Sequence, residues 1–265
     1  MTTVGTAGAG VQPSAFLDST VLVRLFLFWD ACRTANIGLD RVAEWGDLKA
    51  ILATATPAGD AVNRTDGEYL RLGLRSFRRL RERAGDYHYF SSRVCWSEVH
   101  HVLLEGRGLE QLIRQGVPYG LRVKRPQVLF RVALEENDYV QLGADLEDFR
   151  EMLKLDYGLD MIDVEDSSAG FGITPDSVWD VAQAVWSRLL MEVIDAYLFA
   201  AAISIKADFF ITGDGSLRDA LRRLSDPQGA WEPMAVSLKK AIGMDPGALL
   251  PCPLTPSDPL TNNLA

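Results

Sequence analysis

One stretch of this chain, residues 193–221, constrains the fold most strongly, because it joins an apolar segment of helical character to a short strand-like run. It reads VIDAYLFAAAISIKADFFITGDGSLRDAL. The Ala-rich segment that starts near Asp195 predicts a buried helix, and the run 209–212 predicts a strand ended by Gly213. Asp214 follows that strand directly. Because a carboxylate at the end of a buried strand is unfavourable without charge compensation, Asp195 and Asp214 together predict a nearby cation.

A similar arrangement occurs near the N-terminus, where apolar residues lead into Asp18 and residues 15–18 predict a short buried strand. Ser19 is a candidate N-cap for the apolar helix predicted over 21–29. Strands alternate with helices along the chain, which predicts an α/β sandwich with a mainly parallel central sheet. Since sites in such sheets lie at the carboxyl ends of the strands, Asp18 and Asp214 are expected at one edge.

The remaining elements follow from hydrophobic periodicity and turn residues. Helices are predicted over 39–54, 68–84, 92–104, 145–155, 176–190, 191–206 and 216–224, and strands over 87–91 and 161–164. The segments 176–190 and 191–206 are two helices or one bent helix, and Gly106 and Gly108 are expected to stop the helix that precedes them. We expect a flexible leader (1–14), one domain (15–245) with helical insertions at about 39–85 and 109–175, and a Pro-rich tail (246–265).

Composition excludes several classes of protein. With 48% apolar and 24% charged residues, the 265-residue chain is typical of a globular protein. It has no apolar run of the roughly 18 residues that a membrane helix needs, and residues 1–14 do not resemble a signal peptide. Cys32, Cys95 and Cys252 are isolated, which argues for a reducing, cytoplasmic environment and against structural zinc. The net charge of −9 argues against polyanion binding over the whole surface.

Four acidic residues stand out by their placement: Asp18, Glu98, Asp195 and Asp214. Glu98 lies on the helix that follows Ser92, where Glu105 is the rival candidate. Carboxylates gathered in one place raise one another's pKa, and a hard divalent ion removes that penalty. Ligands that are all oxygen favour Mg²⁺ or Mn²⁺ over zinc, and such a site activates water for attack on a phosphodiester.

These residues also resemble a known family, the PIN-domain ribonucleases, which include the toxins of many prokaryotic toxin–antitoxin pairs. The resemblance is carried by AFLDSTVL (15–22), SEV (97–99) and the whole stretch 193–221. It implies a three-layer α/β/α sandwich and a Mg²⁺- or Mn²⁺-dependent endoribonuclease, a hydrolase. The family's catalytic and metal-binding acids would fall on Asp18, Glu98, Asp195 and Asp214, with Ser19 and Thr212 in support.

The match extends over 193–221, 15–25 and the residues around Glu98. It covers about half of the chain, which is roughly twice as long as family domains usually are. The resemblance implies RNA, in single-stranded form, as the partner, and it allows an antitoxin or other protein partner and a homodimer. No membrane association is expected.

A cluster of arginines on the helix 68–84 has two interpretations that the sequence leaves open. It is either a solvated helix face or a surface that tracks RNA phosphates, for which Arg75, Arg78 and Arg79 are the candidates.

Other classes fit the acidic residues less well. Aspartyl phosphotransferases of the haloacid dehalogenase type need a second acid two positions after the first, where this chain has Thr20. A catalytically silent PIN-like module that binds RNA or protein is the main alternative, although four acids favour an enzyme. Asp208 begins its strand and is therefore expected at the opposite edge, and Asp219 is expected in solvent.

Overall fold

The computed structural model describes residues 12–42, 46, 64–118, 134–166, 170–225 and 227–242. Within these residues, four parallel strands form one sheet: β1 Ser14–Leu17, β2 His88–Ser91, β3 Met161–Asp163 and β4 Phe209–Ile211. Their order across the sheet is β3-β2-β1-β4. Ala15 pairs with Tyr89 on one side and with Phe209 on the other. The residue that follows β1, Asp18, therefore lies between the ends of two neighbouring strands.

Eight α-helices accompany the sheet in the described part of the chain. They are α1 Ser19–Thr34, α2 Arg64–Glu82, α3 Arg93–Arg114, α4 Glu136–Tyr157, α5 Pro175–Leu189, α6 Val193–Ser204, α7 Gly215–Ser225 and α8 Trp231–Ile242. Helix α1 packs against α2, α3 and α4, whereas α8 packs against α5 and α7. The predicted α/β class with a parallel sheet is confirmed, and the arrangement is that of a three-layer α/β/α sandwich. No helix in the described ranges is long and apolar enough to cross a bilayer.

The core around the sheet is built from aromatic and small side chains. Phe16 of β1 stacks on Phe210 of β4 with ring centroids 5.5 Å apart, and Phe199 of α6 meets Phe210 edge-on at 6.3 Å. Residues 196–203 are all buried. A helix segment that is apolar on every side belongs to the core, so residues 196–203 of α6 lie in the core and its first turn emerges from it.

Helix α2 packs very closely on α1. Its face formed by Leu70, Leu74, Phe77 and Leu80 is buried. At the crossing, a Cβ atom added to Gly73 would overlap the carbonyl oxygen of Arg24 and lie 2.7 Å from Phe28 Cβ. Only glycine therefore allows this approach of the two helices.

A buried carboxylate links the helices on this side of the molecule. Asp145 of α4 is 2% exposed, and it accepts hydrogen bonds from Arg33 of α1 (2.7 Å), Arg107 of α3 (2.6 Å) and Gln141 (3.1 Å). Burial alone would raise the pKa of Asp145, but the hydrogen bonds from the two arginines outweigh it and lower the pKa to about 2.

Several predicted boundaries are wrong for identifiable reasons. Helix α3 continues past Gly106 and Gly108 because Gly108 lies on the same buried face as Leu104 and Leu112, so packing overrides glycine's low helix propensity. Helix α4 begins nine residues before the predicted 145, at Glu136. Helix α8 was not predicted at all.

Two further points concern the ends of helices. Asp18, not Ser19, occupies the N-cap position of α1, and Ser19 is the first helical residue. The segment 176–206 forms two helices because Leu190 adopts a left-handed conformation (φ 52°) between them. Most of the helix predicted over 39–54, the leader up to residue 11, the tail 246–265 and Cys252 lie outside the described residues; a single 3₁₀ turn, Leu39–Arg41, is seen.

Candidate functional site

Asp18 lies at the centre of the carboxyl edge of the sheet, where it is 2% exposed. Its backbone N–H continues the ladder by donating to the carbonyl oxygen of Ile211 (3.0 Å). Thr20 and Thr212 each donate a hydroxyl to Asp18 Oδ2 at 2.6 Å, and Ser19 donates to Oδ1 at 3.3 Å. Three hydroxyls thus compensate the buried carboxylate and fix its orientation.

Asp214 follows β4 and begins α7. Its Oδ1 accepts from the backbone N–H of Leu217 (2.9 Å), which caps the first turn of the helix. The backbone N–H of Asp214 donates to Thr212 Oγ1 (2.9 Å), and that of Gly213 donates to Thr20 Oγ1 (2.9 Å). The loop 212–214 is therefore bound to the first turn of α1, and Thr212 contacts both predicted acids of this edge.

Asp195 lies half-buried in the first turn of α6. Burial, together with the neighbouring charges of Asp18, Asp214 and Glu98, raises the pKa of its carboxyl group to about 7. The four predicted acids, which come from four separate elements, therefore lie within electrostatic reach of one another.

Glu98 faces this group from α3. Burial raises the pKa of Glu98, a hydrogen bond with Ser19 opposes the rise, and the charge of Asp18 adds to it. One carboxylate oxygen, Oε2, is buried without a hydrogen-bond partner. The rival Glu105 is 39% exposed and faces His101 at 3.2 Å. Of the two candidates on α3, only Glu98 belongs to the acidic site.

The charges of the four acids suit a bound cation, but their side chains are not arranged as a set of metal ligands. Glu98 has a buried oxygen without a hydrogen-bond partner, and burial and nearby carboxylates raise the pKa of Asp195, so a cation would stabilise the charged form of both groups. However, among the described residues no three His, Cys, Asp or Glu side chains converge as a group that could hold a metal ion. To bind a metal ion here, other acidic side chains would have to rotate toward Asp18, whose carboxylate is held in place by hydroxyl groups.

Sequence reasoning missed two arginines beside this site. Arg24 is the lone cation in the apolar stretch VLVRLFLF of α1, and Arg218 lies one helical turn after Asp214. Arg24 Nη2 donates to the carbonyl oxygen of Gly213 (3.1 Å). A Cβ on Gly213 would lie 2.6 Å from Arg24 Cζ, so the guanidinium rests directly on this glycine. A cation isolated in an apolar helix was the signal available in the sequence.

The predicted RNA-tracking arginines lie farther along α2. Arg78 is exposed, whereas Arg75 and Arg79 are partly buried and make other interactions. Their half of the helix leads toward His88, at the amino edge of the sheet, and so runs away from the acids. The interpretation of this cluster as an RNA surface remains a prediction.

The two acids excluded on sequence grounds lie where they were expected. Asp208 Oδ2 accepts from the backbone N–H and hydroxyl of Ser14 (2.7 and 2.9 Å) at the amino edge of the sheet. Asp219 is 60% exposed and pairs with Arg222 at 3.5 Å. Neither contributes to the acidic site.

No protein-family model, curated protein or solved structure matches this chain significantly. The resemblance to PIN-domain ribonucleases is therefore an interpretation of residues 15–25, 97–99 and 193–221.

Proposed function

We propose that this protein is a metal-dependent ribonuclease that hydrolyses phosphodiester bonds at the site formed by Asp18, Glu98, Asp195 and Asp214. The observation that supports this proposal is the raised pKa of Asp195, at about 7, which burial and four neighbouring carboxylates cause together. Four acidic side chains at the carboxyl edge of a parallel sheet form a position suited to a hard divalent cation. The finer assignment, a cytoplasmic PIN-like enzyme of toxin type that cleaves single-stranded RNA, rests on the family resemblance.

The residues have separable roles in this proposal. Asp18, held by Thr20 and Thr212, would be the oriented ligand, and Glu98 and Asp195 would rotate toward the same ion. A bound Mg²⁺ or Mn²⁺ supplies an activated water and neutralises charge on the phosphate. Thr212 would keep Asp18 and the backbone of Asp214 in register.

Cleavage of single-stranded RNA in the presence of Mn²⁺ tests the proposal. We expect Asp18→Asn and Asp214→Asn each to lower the rate by about 100-fold or more, since each removes a charged ligand. Asp219→Asn is the matched control, because it makes the same change on an exposed residue of α7 and should leave the rate unaltered. Undiminished cleavage by both site variants would refute the assignment.

A second candidate function is that of a catalytically silent module that binds RNA or protein. It is favoured by one observation, that no three candidate ligands among the described residues are already gathered around one point. The melting temperature with and without millimolar Mg²⁺ or Mn²⁺ separates the two candidates, because an ion that binds only the folded protein stabilises it. A nuclease should gain several degrees that the Asp195→Asn/Asp214→Asn variant does not gain. No shift together with no cleavage would favour the silent module.

A further inference from the structure

Two half-buried guanidinium groups flank the acidic site on the side of β4. Arg24 reaches it from α1 and rests on Gly213. Arg218 folds back along α7, so that its Nη2 lies within 3.8 Å of a Cβ position on Gly215, in the first turn of that helix. Burial lowers the pKa of Arg24, the charges of Asp18 and Asp214 oppose that change, and the nearby charge of Arg218 adds to it.

Neither guanidinium is neutralised by a direct ion pair with a described residue. Arg24 and Arg218 have no carboxylate oxygen of the described chain within 4.0 Å, in contrast to Arg33 and Arg107, which both bind Asp145. In addition, the Nε–H groups of Arg24 and Arg218 are buried and have no hydrogen-bond acceptor. The two guanidinium groups therefore keep donors that no described residue uses, and an acceptor with several oxygens would suit them.

We propose that Arg24 and Arg218 together bind one phosphate group of an RNA backbone, beside the carboxylates of Asp18 and Asp214. Arginine offers donors in a planar fork that matches phosphate oxygens, and two such forks fix the position of one phosphate. The nature of the ligand as RNA rests on the proposed function, whereas the anion site itself rests on the two arginines. The pair are positioning residues, which hold the backbone next to the acids.

Binding without hydrolysis tests this inference independently of the nuclease. The Asp195→Asn protein serves as the reference, because it lacks one repelling charge and, on the proposed function, does not cleave. Its affinity for a fluorescein-labelled single-stranded RNA of mixed sequence is measured in Mg²⁺ by fluorescence anisotropy over a range of KCl concentrations. Arg24→Gln and Arg218→Gln are introduced into this reference protein singly and together. Lys206→Gln, at the exposed turn before β4, is the control, because it also removes one positive charge.

We expect each single variant to bind about 5–10-fold more weakly and the double variant to reduce the magnitude of the salt slope by about 0.7, the value for one phosphate contact on a single strand. Lys206→Gln should change neither quantity. If Arg24→Gln fails to fold, Arg24→Lys, which keeps the charge without the fork, and Arg218→Gln carry the test.

The outcomes separate the two proposals. A wild-type protein that does not cleave RNA, but whose reference form binds it through both arginines, overturns the nuclease and supports the anion site. Unchanged affinity of the double variant, with a lowered melting temperature, means that the arginines only neutralise the acids and overturns the anion site. A reference protein that binds no RNA overturns it as well.

Discussion

The hydroxyl of Thr212 donates to Asp18 Oδ2 over 2.6 Å, so the carboxyl ends of β1 and β4 are joined by a buried, charge-assisted hydrogen bond. The same oxygen of Thr212 accepts the backbone N–H of Asp214 at 2.9 Å. One side chain therefore connects an acid from the beginning of the fold with an acid from near its end.

Replacing Thr212 with valine tests this connection, because valine keeps the shape and removes the hydroxyl. We expect the free energy of unfolding to fall by about 1–3 kcal/mol, since the buried Asp18 loses a donor and the Asp214 N–H loses its acceptor. Urea denaturation measures the change. Ser97→Ala, which removes an exposed hydroxyl from α3, should change stability by less than about 0.5 kcal/mol. Equal effects of the two substitutions would contradict a special role for Thr212.

The carboxyl group of Asp195 predicts a pH dependence of stability in metal-free buffer with EDTA. The pKa of Asp195 is about 7 in the folded protein and about 3.9 in the unfolded chain. The folded protein is therefore most stable, with respect to this group, below about pH 4, where Asp195 is protonated in both states. It loses that stability as the pH rises through about 7. Asp195→Asn cannot ionise beside Asp18, Asp214, Glu98 and Glu192. At pH 8 this variant should be more stable than the wild type by about 1–2 kcal/mol, after allowance for the partial exposure of the group.

Thermal unfolding between pH 8 and pH 4 measures that difference. The advantage of the asparagine variant should shrink steadily toward the acid end, whereas Asp219→Asn should follow the wild type throughout. A variant that is less stable than the wild type at pH 8 would show that the acids do not repel one another as proposed.

Replacing glycine with alanine should have opposite effects on stability at Gly73, where α1 and α2 cross closely, and at Gly143, in α4. Gly73→Ala places a methyl group against the Arg24 carbonyl and Phe28, and we expect it to cost about 1–3 kcal/mol of stability. Gly143→Ala, inside α4 with no atom within 4 Å of the new Cβ, should stabilise the protein by about 0.5–1 kcal/mol. Chemical denaturation of both variants checks the signs, and stabilisation by Gly73→Ala would mean that the helices are farther apart.

Replacing Asp145 with asparagine should destabilise the protein by an amount that depends on pH. Asp145→Asn removes the carboxylate that Arg33 and Arg107 share, which leaves Arg33 with only Asp30 as a counter-charge, and we expect a loss of about 2–3 kcal/mol at pH 7. Because the folded pKa is lowered to about 2, the contribution of the carboxylate is present above about pH 4 and is lost as the pH falls toward 2.

Urea denaturation at pH 7 and at about pH 3 measures this contribution, and the gap between wild type and variant should narrow at the lower pH. Asp30→Asn removes the exposed partner of Arg33 and should cost no more than about 1 kcal/mol. If Asp145→Asn and Asp30→Asn lower the free energy of unfolding equally, the burial of Asp145 does not strengthen its interactions with the arginines.

Local pattern was sufficient to predict the strands and the apolar helices. The alternation of apolar runs with Gly and Asp was enough to place β1, β4, α6 and the acids at their ends, because those signals lie within a few residues of one another. The length of α3 was beyond such reasoning, since Gly108 is tolerated only through burial against other helices. The partnership of Arg24 with Gly213 joins positions 189 residues apart, which no local pattern contains.

The order of the strands also bears on how this protein is made. A ribosome-bound chain that has emerged only as far as residue 190 contains β1, β2 and β3, but it lacks α6, β4 and the hydroxyl of Thr212. Asp18 would then stand at an open side of the sheet with neither Asp195 nor Asp214 beside it. The four acids therefore come together only after β4 has been synthesised, so the order of synthesis would keep the proposed site incomplete in the nascent chain.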